Sequence, residues 1–321
     1  MSAWRDLTLF STLTATTLWW LLHRSTKGNS SSLPLLVLLV DNGSLRAESY
    51  LSLRAMAAAV TARSGLPVVA ASARFADRVE GLVPPGDTVD TALARYLGGC
   101  GAAAVDPRVL VLPAFFGPSD TLTQLVPAVV ARHAARHPAL RLFTAAPLVD
   151  VGDAADARVA GALRDGVLHA LAAASLPVGA AAVVLCDHGS PLPEVGAVRA
   201  HLAAQLRALL PAPPRAFGEA SMERRPGAAY DFNDPLLEAL LRTPPFDDGP
   251  VVVALAFLSP GKHAGPGGDL AGIAADAERE AAARGRALRV HFAPVLGAAP
   301  AVADVLRDRL LAATAAHGIA A

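Results

Sequence analysis

Cysteine is almost missing from this chain: Cys100 and Cys186 are the only two in 321 residues. They lie far apart and form no C-x-x-C, which leaves a disulfide framework, a zinc ribbon and a four-cysteine iron–sulfur site without support. Cys186, inside a predicted core strand, reads as a small buried hydrophobe. Aromatic residues are scarce at 5%, and 28 basic side chains balance 28 acidic ones. No basic field of the kind nucleic acid demands is present, so nucleic acid is not expected as a partner. There is no G-x-S-x-G elbow for a hydrolase triad. The glycine-rich stretch Gly261-Lys262-His263-Ala264-Gly265-Pro266-Gly267-Gly268-Asp269 departs from a phosphate loop, because His263 follows Lys262 where Ser or Thr is needed. What the chain has in quantity is apolar residues, 53% of the total and enough for two ordinary cores.

One signature occurs twice: Val40-Asp41-Asn42-Gly43-Ser44 and Cys186-Asp187-His188-Gly189-Ser190. Each copy follows an apolar run and precedes a helical pattern, so each reads as strand, tight turn, helix. Glu48 and Glu194 both stand four positions after the signature's serine. The stretches Arg108 to Pro118 and Pro250 to Pro260 also correspond, as do the turns Ala145-Ala146-Pro147-Leu148 and Phe292-Ala293-Pro294-Val295. Each half thus reads as four strands alternating with four helices over roughly 150 residues, an ordinary domain size. The fold class is α/β, with two parallel four-stranded sheets and helices on both faces of each. The expected units are 34–176 and 177–321.

Residues 1–33 belong to neither unit. Leu7 to Leu22 is apolar but diluted by Thr and Ser, with Arg5 before it and Arg24 and Lys27 after it. That run is near the lower limit for crossing a bilayer, and no small-x-small cleavage site is evident. Scarce acids with abundant Ser, Thr and basic residues suit an organelle transit peptide equally well. The segment is therefore expected to direct the chain to an organelle, a chloroplast among the candidates, or to anchor it to a membrane, with an uncleaved disordered tail as the third reading.

Chemistry is expected where the strands of the second half end. If its first and third strands are adjacent, about 5 Å apart, the loops carrying His188 and His263 open into one crevice at the switch point of the sheet. Two facing imidazoles can hold a divalent ion and accept protons near neutral pH. Ser44 and Ser190 are expected as helix N-caps, and Gly43 and Gly189 as the residues that permit the turn. Asp187 favours a structural role, because Asp41 survives in the copy that lacks a histidine. Glu194 and Glu223 are candidate cleft carboxylates, each equally readable as a solvated surface group. The glycines after Lys262 suit close approach to a large flat ligand, with a helix starting near Asp269.

A strand ending in His188-Gly189-Ser190 with Glu194 beyond it, then a strand ending in Phe257-Leu258, a glycine and His263 before a Gly/Asp helix start, resembles the sirohydrochlorin chelatases. These class II chelatases insert cobalt or ferrous iron into sirohydrochlorin. The resemblance covers about Leu35 to the C-terminus as two chelatase-like units. It implies metal insertion into sirohydrochlorin or a related tetrapyrrole, in siroheme or cobalamin-type synthesis, with a non-catalytic carrier of tetrapyrrole or metal as the alternative. The divalent ion, Fe²⁺ or Co²⁺, is substrate, and no organic cofactor is implied. His188 and His263 carry over as the metal-binding and proton-accepting pair, with Glu194 and Glu223 in lesser catalytic roles. Gly189, Ser190, Lys262 and Gly265 are expected against the macrocycle, and Lys262, Arg224 and Arg225 on its anionic rim. The first unit departs from the pattern: Asn42 stands in place of one histidine and Thr121 in place of the other.

Overall fold

The computed structural model describes residues 35–98 and 106–319. The expected targeting segment 1–33 and Cys100 lie outside the described residues. Among the described residues no helix is long and apolar enough to cross a membrane.

Two four-stranded parallel sheets form the frame. In the first, β1 (Leu36–Asp41), β2 (Val68–Ser72), β3 (Arg108–Pro113) and β4 (Arg141–Thr144) take the order β2-β1-β3-β4. In the second, β5 (Ala182–Asp187), β6 (Ala216–Ser221), β7 (Pro250–Leu255) and β8 (Arg289–Phe292) take the order β6-β5-β7-β8. The α/β reading is borne out, and the condition that the first and third strands of the second unit be adjacent is met. Strands such as Leu-Val-Leu-Leu-Val-Asp and Ala-Val-Val-Leu-Cys-Asp are apolar at nearly every position because helices cover both faces.

The helices are α1 (Ala47–Ser64), α2 (Val89–Gly98), α3 (Val126–Ala134), α4 (Arg158–Ala173), α5 (Pro193–Leu209), the single turn α6 (Leu237–Leu240), α7 (Asp269–Ala283) and α8 (Pro300–Ala316). Alternation along the strands sorts their side chains into three layers of core. Leu36, Leu38 and Val40 meet α2 and α3 on the outer face of the first sheet. Ala182, Val184 and Cys186 meet α6 and α7 on the outer face of the second, where Cys186 is fully buried. Val37, Leu39, Val183 and Leu185 point the other way, into one central core that also takes in α1, α4, α5 and α8. Each fully buried Leu or Val there contributes about 1.5–3 kcal/mol.

The central layer holds an exchange. The helix α4, which follows the strands of the first sheet, packs on β7 and β8 of the second, while α8 packs on α1 and β3 of the first. A Cβ added at Gly166 of α4 would lie 3.4 Å from the Ala293 Cβ, beyond β8. Polar contacts tie the same seam: Arg63 to Asp304 at 2.9 Å, Arg158 to Asp308 at 2.6 Å, and Arg309 Nε donating to the Pro147 carbonyl at 3.1 Å. The boundary at 176/177 divides the strands but not the helices that cover them.

Candidate active site

Strand pairing delivers the two histidine loops to one place. Cys186 of β5 lies beside Leu255 of β7, and both chains leave the sheet at that edge. They open into a cleft of about 1190 Å³ whose lining comes from both units, including Asn42, Arg46, Phe75 and Phe116 from the first and His188, Glu223, Arg225 and His263 from the second.

The turn that presents His188 is fixed by its own backbone. Gly189 has φ +87°, and a Cβ there would collide with the Glu223 carbonyl oxygen, so the turn requires glycine. Gly43 repeats this, with φ +88° and the Arg74 carbonyl in the way. Asn233, itself buried, clamps the loop by accepting from Ser190 N–H at 2.9 Å and donating to the Ser190 carbonyl at 2.9 Å. Ser44 and Ser190 are not helix N-caps, as the sequence led us to expect. The caps are Arg46 and Leu192, without side-chain bonds, and the serine hydroxyls accept from those residues' N–H groups at 3.1 Å. Each serine closes a local turn two residues ahead of the helix and so sits too early to cap it.

Asp187 anchors the same loop from below, accepting the Gly189 N–H at 3.1 Å, and buried Arg199 lies 3.5 Å away. Burial pushes the Asp187 carboxyl up, and the Arg199 guanidinium opposes that shift. In the first unit the residue matching Arg199, twelve positions after the strand-ending aspartate, is Leu53. Asp41 therefore has no such cation, its Oδ1 is sealed off without a partner, and desolvation pushes its carboxyl up to about 6.

The imidazoles of His188 and His263 meet edge to face with centroids 4.7 Å apart. His188 Nδ1 lies 3.1 Å from the Gly189 carbonyl, and His263 Nδ1 lies 2.7 Å from Asp269 Oδ2. Both partners only accept, so both Nδ1 atoms carry the proton. The Nε2 lone pairs are left for an ion or an incoming proton. Glu223 joins them, its Oε1 3.6 Å from His188 Nε2. Asp269 is the residue that sequence reasoning undervalued. It was visible only as a helix start, yet as the first residue of α7 it lies where its carboxylate reaches back to the histidine six positions earlier.

The other expected site residues are placed unevenly. Glu194 lies exposed in the first turn of α5 and is not brought into the cleft lining. Gly265 stands behind the lining, where a Cβ would press on the Gly261 carbonyl at 2.6 Å, so the loop's own packing accounts for that glycine. Gly189, Ser190 and Lys262 do line the cleft. Lys262 lies 3.8 Å from Asp269, and Arg224 is paired with Asp231 at 2.8 Å and Asp234 at 3.0 Å. At the position of the lost histidines, buried Thr121 donates its hydroxyl to Asn42 Oδ1 at 2.6 Å. The two substituted residues face each other as the histidines do. Among the described residues no group of three or more His, Cys, Asp or Glu side chains is converged closely enough to hold a metal ion, so the paired imidazoles carry the reading of the site.

Two four-stranded parallel sheets of this order thus open, at the carboxyl ends of their central strands, onto a shared cleft. Residues 182–313, most of the second unit, match the CbiX family model. Nearly the whole chain also shares the fold of solved chelatases. SirB from Bacillus subtilis with Fe³⁺ is 16% identical, with a TM-score of 0.59 over 89% of this chain and 98% of that one. The sirohydrochlorin chelatase SirB from Bacillus subtilis subspecies spizizenii in complex with cobalt is 17% identical, with a TM-score of 0.58 over the same shares, 89% and 98%. A multi-domain protein from Deinococcus radiodurans with structural similarity to chelatases is 18% identical, with a TM-score of 0.50 over 88% of this chain and 54% of that one. At these identities the likeness speaks for the fold. No curated protein matches the sequence significantly.

Proposed function

We propose that this chain inserts a divalent metal, ferrous iron or cobalt, into sirohydrochlorin or a closely related tetrapyrrole. The observation that carries the reading is the pair of cleft imidazoles with both Nδ1–H groups engaged and both Nε2 atoms left open. Metallation requires the macrocycle to lose two pyrrole protons and to receive an ion stripped of water. A neutral imidazole can present a lone pair to a borderline ion and take up a proton near neutral pH, and the pair can divide those tasks. Asp269, bonded to His263 Nδ1, fixes that ring's tautomer and stabilises the imidazolium formed when Nε2 gains a proton. Glu223, beside His188, is placed to accept a proton or to lend a carboxylate oxygen to the entering ion. Asn42 and Thr121 offer neither a good ligand for such an ion nor a base, and they are hydrogen-bonded to each other instead.

The test is cobalt insertion into sirohydrochlorin, followed by absorbance with residues 34–321. His188→Ala and His263→Ala should each lower the rate at least about a hundredfold, the lower end of what general acid–base groups supply. Circular dichroism should stay unchanged, because both rings sit in loops. Full activity in either variant would reject the assignment, and binding of the macrocycle without turnover by the wild type would favour the carrier.

A further inference from the structure

The cations around the cleft are not equally free to meet a ligand. Arg199 is buried against Asp187, Arg224 is held by Asp231 and Asp234, and Lys262 stands near Asp269. Two guanidinium groups remain on the lining with no carboxylate in ion-pair distance among the described residues: Arg46 from the first unit and Arg225 from the second. Both are exposed, and Arg225 rests only over the Tyr230 ring, 5.8 Å from its centroid.

The two walls also differ position by position. Five residues after the strand-ending aspartates, the first unit has Arg46 and the second has Leu192. Three residues after the second strands, the first unit has Phe75 and the second has Arg224. Phe75 and Leu45 are exposed large hydrophobes, 38% and 63% accessible, and both line the cleft. The unit that lacks the two cleft histidines thus offers an apolar surface beside one unneutralised guanidinium. That combination fits a flat ring system with carboxylates at its edge.

Building on the tetrapyrrole reading above, we propose that Arg46 and Arg225 each bind a substrate carboxylate from walls contributed by different units, so that the first unit sets affinity for the macrocycle while the second performs the chemistry. A guanidinium meets a carboxylate through two parallel N–H donors, which fixes orientation as well as charge. Arg46 is a positioning residue in this scheme, and its loss should weaken binding without slowing the bound complex.

The experiment measures two quantities: the Kd of metal-free sirohydrochlorin, by fluorescence titration, and KM and kcat for cobalt insertion. Arg46→Ala should raise Kd and KM about tenfold with kcat within about twofold, because the lost interaction is made equally in the bound and reacting states. Arg46→Lys should recover part of the affinity and Arg46→Glu should lose more than alanine does. Arg78→Ala, an exposed arginine outside the cleft, should match the wild type. The fully esterified macrocycle should bind wild type and Arg46→Ala alike. An unchanged KM and Kd in Arg46→Ala with an active wild type would overturn the proposal alone. A wild type that neither binds nor metallates sirohydrochlorin would overturn both it and the function it rests on.

Discussion

Asp41 is a liability in the folded chain, and Asp41→Asn should stabilise the protein at neutral pH. The carboxyl is desolvated by the first sheet, its Oδ1 has no partner, and the arginine that serves its counterpart is replaced by Leu53. A rise from 3.8 to about 6 is roughly 2.2 units, which at about 1.4 kcal/mol each gives a ceiling of about 3 kcal/mol. The sign follows from proton uptake. Between those two values the folded state keeps a proton that the unfolded state has released, so stability falls as pH rises from about 4 to about 6. The full penalty stands above that window, and below it the penalty vanishes. Asparagine escapes the charge while its amide oxygen can still accept from the Gly43 N–H. Urea unfolding of residues 34–321 at pH 7.5 and at pH about 3.8 checks this, with the slope against denaturant held constant. The variant should gain at most about 3 kcal/mol at the higher pH and close to nothing at the lower. A gain independent of pH, or a loss at pH 7.5, would refute the reasoning.

Two further outcomes follow from the site. Gly189→Ala adds a Cβ at φ +87° against the Glu223 carbonyl; the left-handed backbone alone costs about 1–2 kcal/mol, and displacement of His188 from Glu223 should lower cobalt insertion more than tenfold, read by absorbance and thermal unfolding together. Asn42→His should add no metal site, because its neighbour Thr121 is a buried hydroxyl and supplies no second ligand; calorimetry with cobalt in a His188→Ala, His263→Ala background should show no specific binding, and a specific isotherm would make the first unit a second centre.

Much of this molecule was legible in the order of its residues. Apolar runs of strand length, a turn signature met twice and two histidines at strand ends were enough to expect both rings at one edge if β5 lay beside β7, which the sheet order supplies. Local pattern could not separate Glu194 from Glu223, because Glu194 faces solvent from the first turn of α5 while the loop after β6, bonded through the Glu223 N–H to the His188 carbonyl at 3.1 Å, holds Glu223 beside the ring. Nor could it rank the basic residues, since the pairing of Arg224 with Asp231 and Asp234 depends on how an irregular loop closes. The serines misled for a smaller reason: a turn two residues long separates each from its helix. The exchange of α4 and α8 left no trace in periodicity, because an amphipathic stripe records that a helix is covered and says nothing about which sheet covers it.

That exchange bears on how such a chain can change over generations. Once α4 shields the second sheet and α8 the first, either half can shed its catalytic side chains but neither can be deleted without stripping its neighbour's cover. Substitutions at Asn42 and Thr121 are then tolerable, while truncation before α4 is not. The half without the cleft histidines is kept as a structural tenant, and its loop edges are released from the constraint of chemistry. They are free to acquire new residues facing the working half, and Arg46 stands on one of those edges.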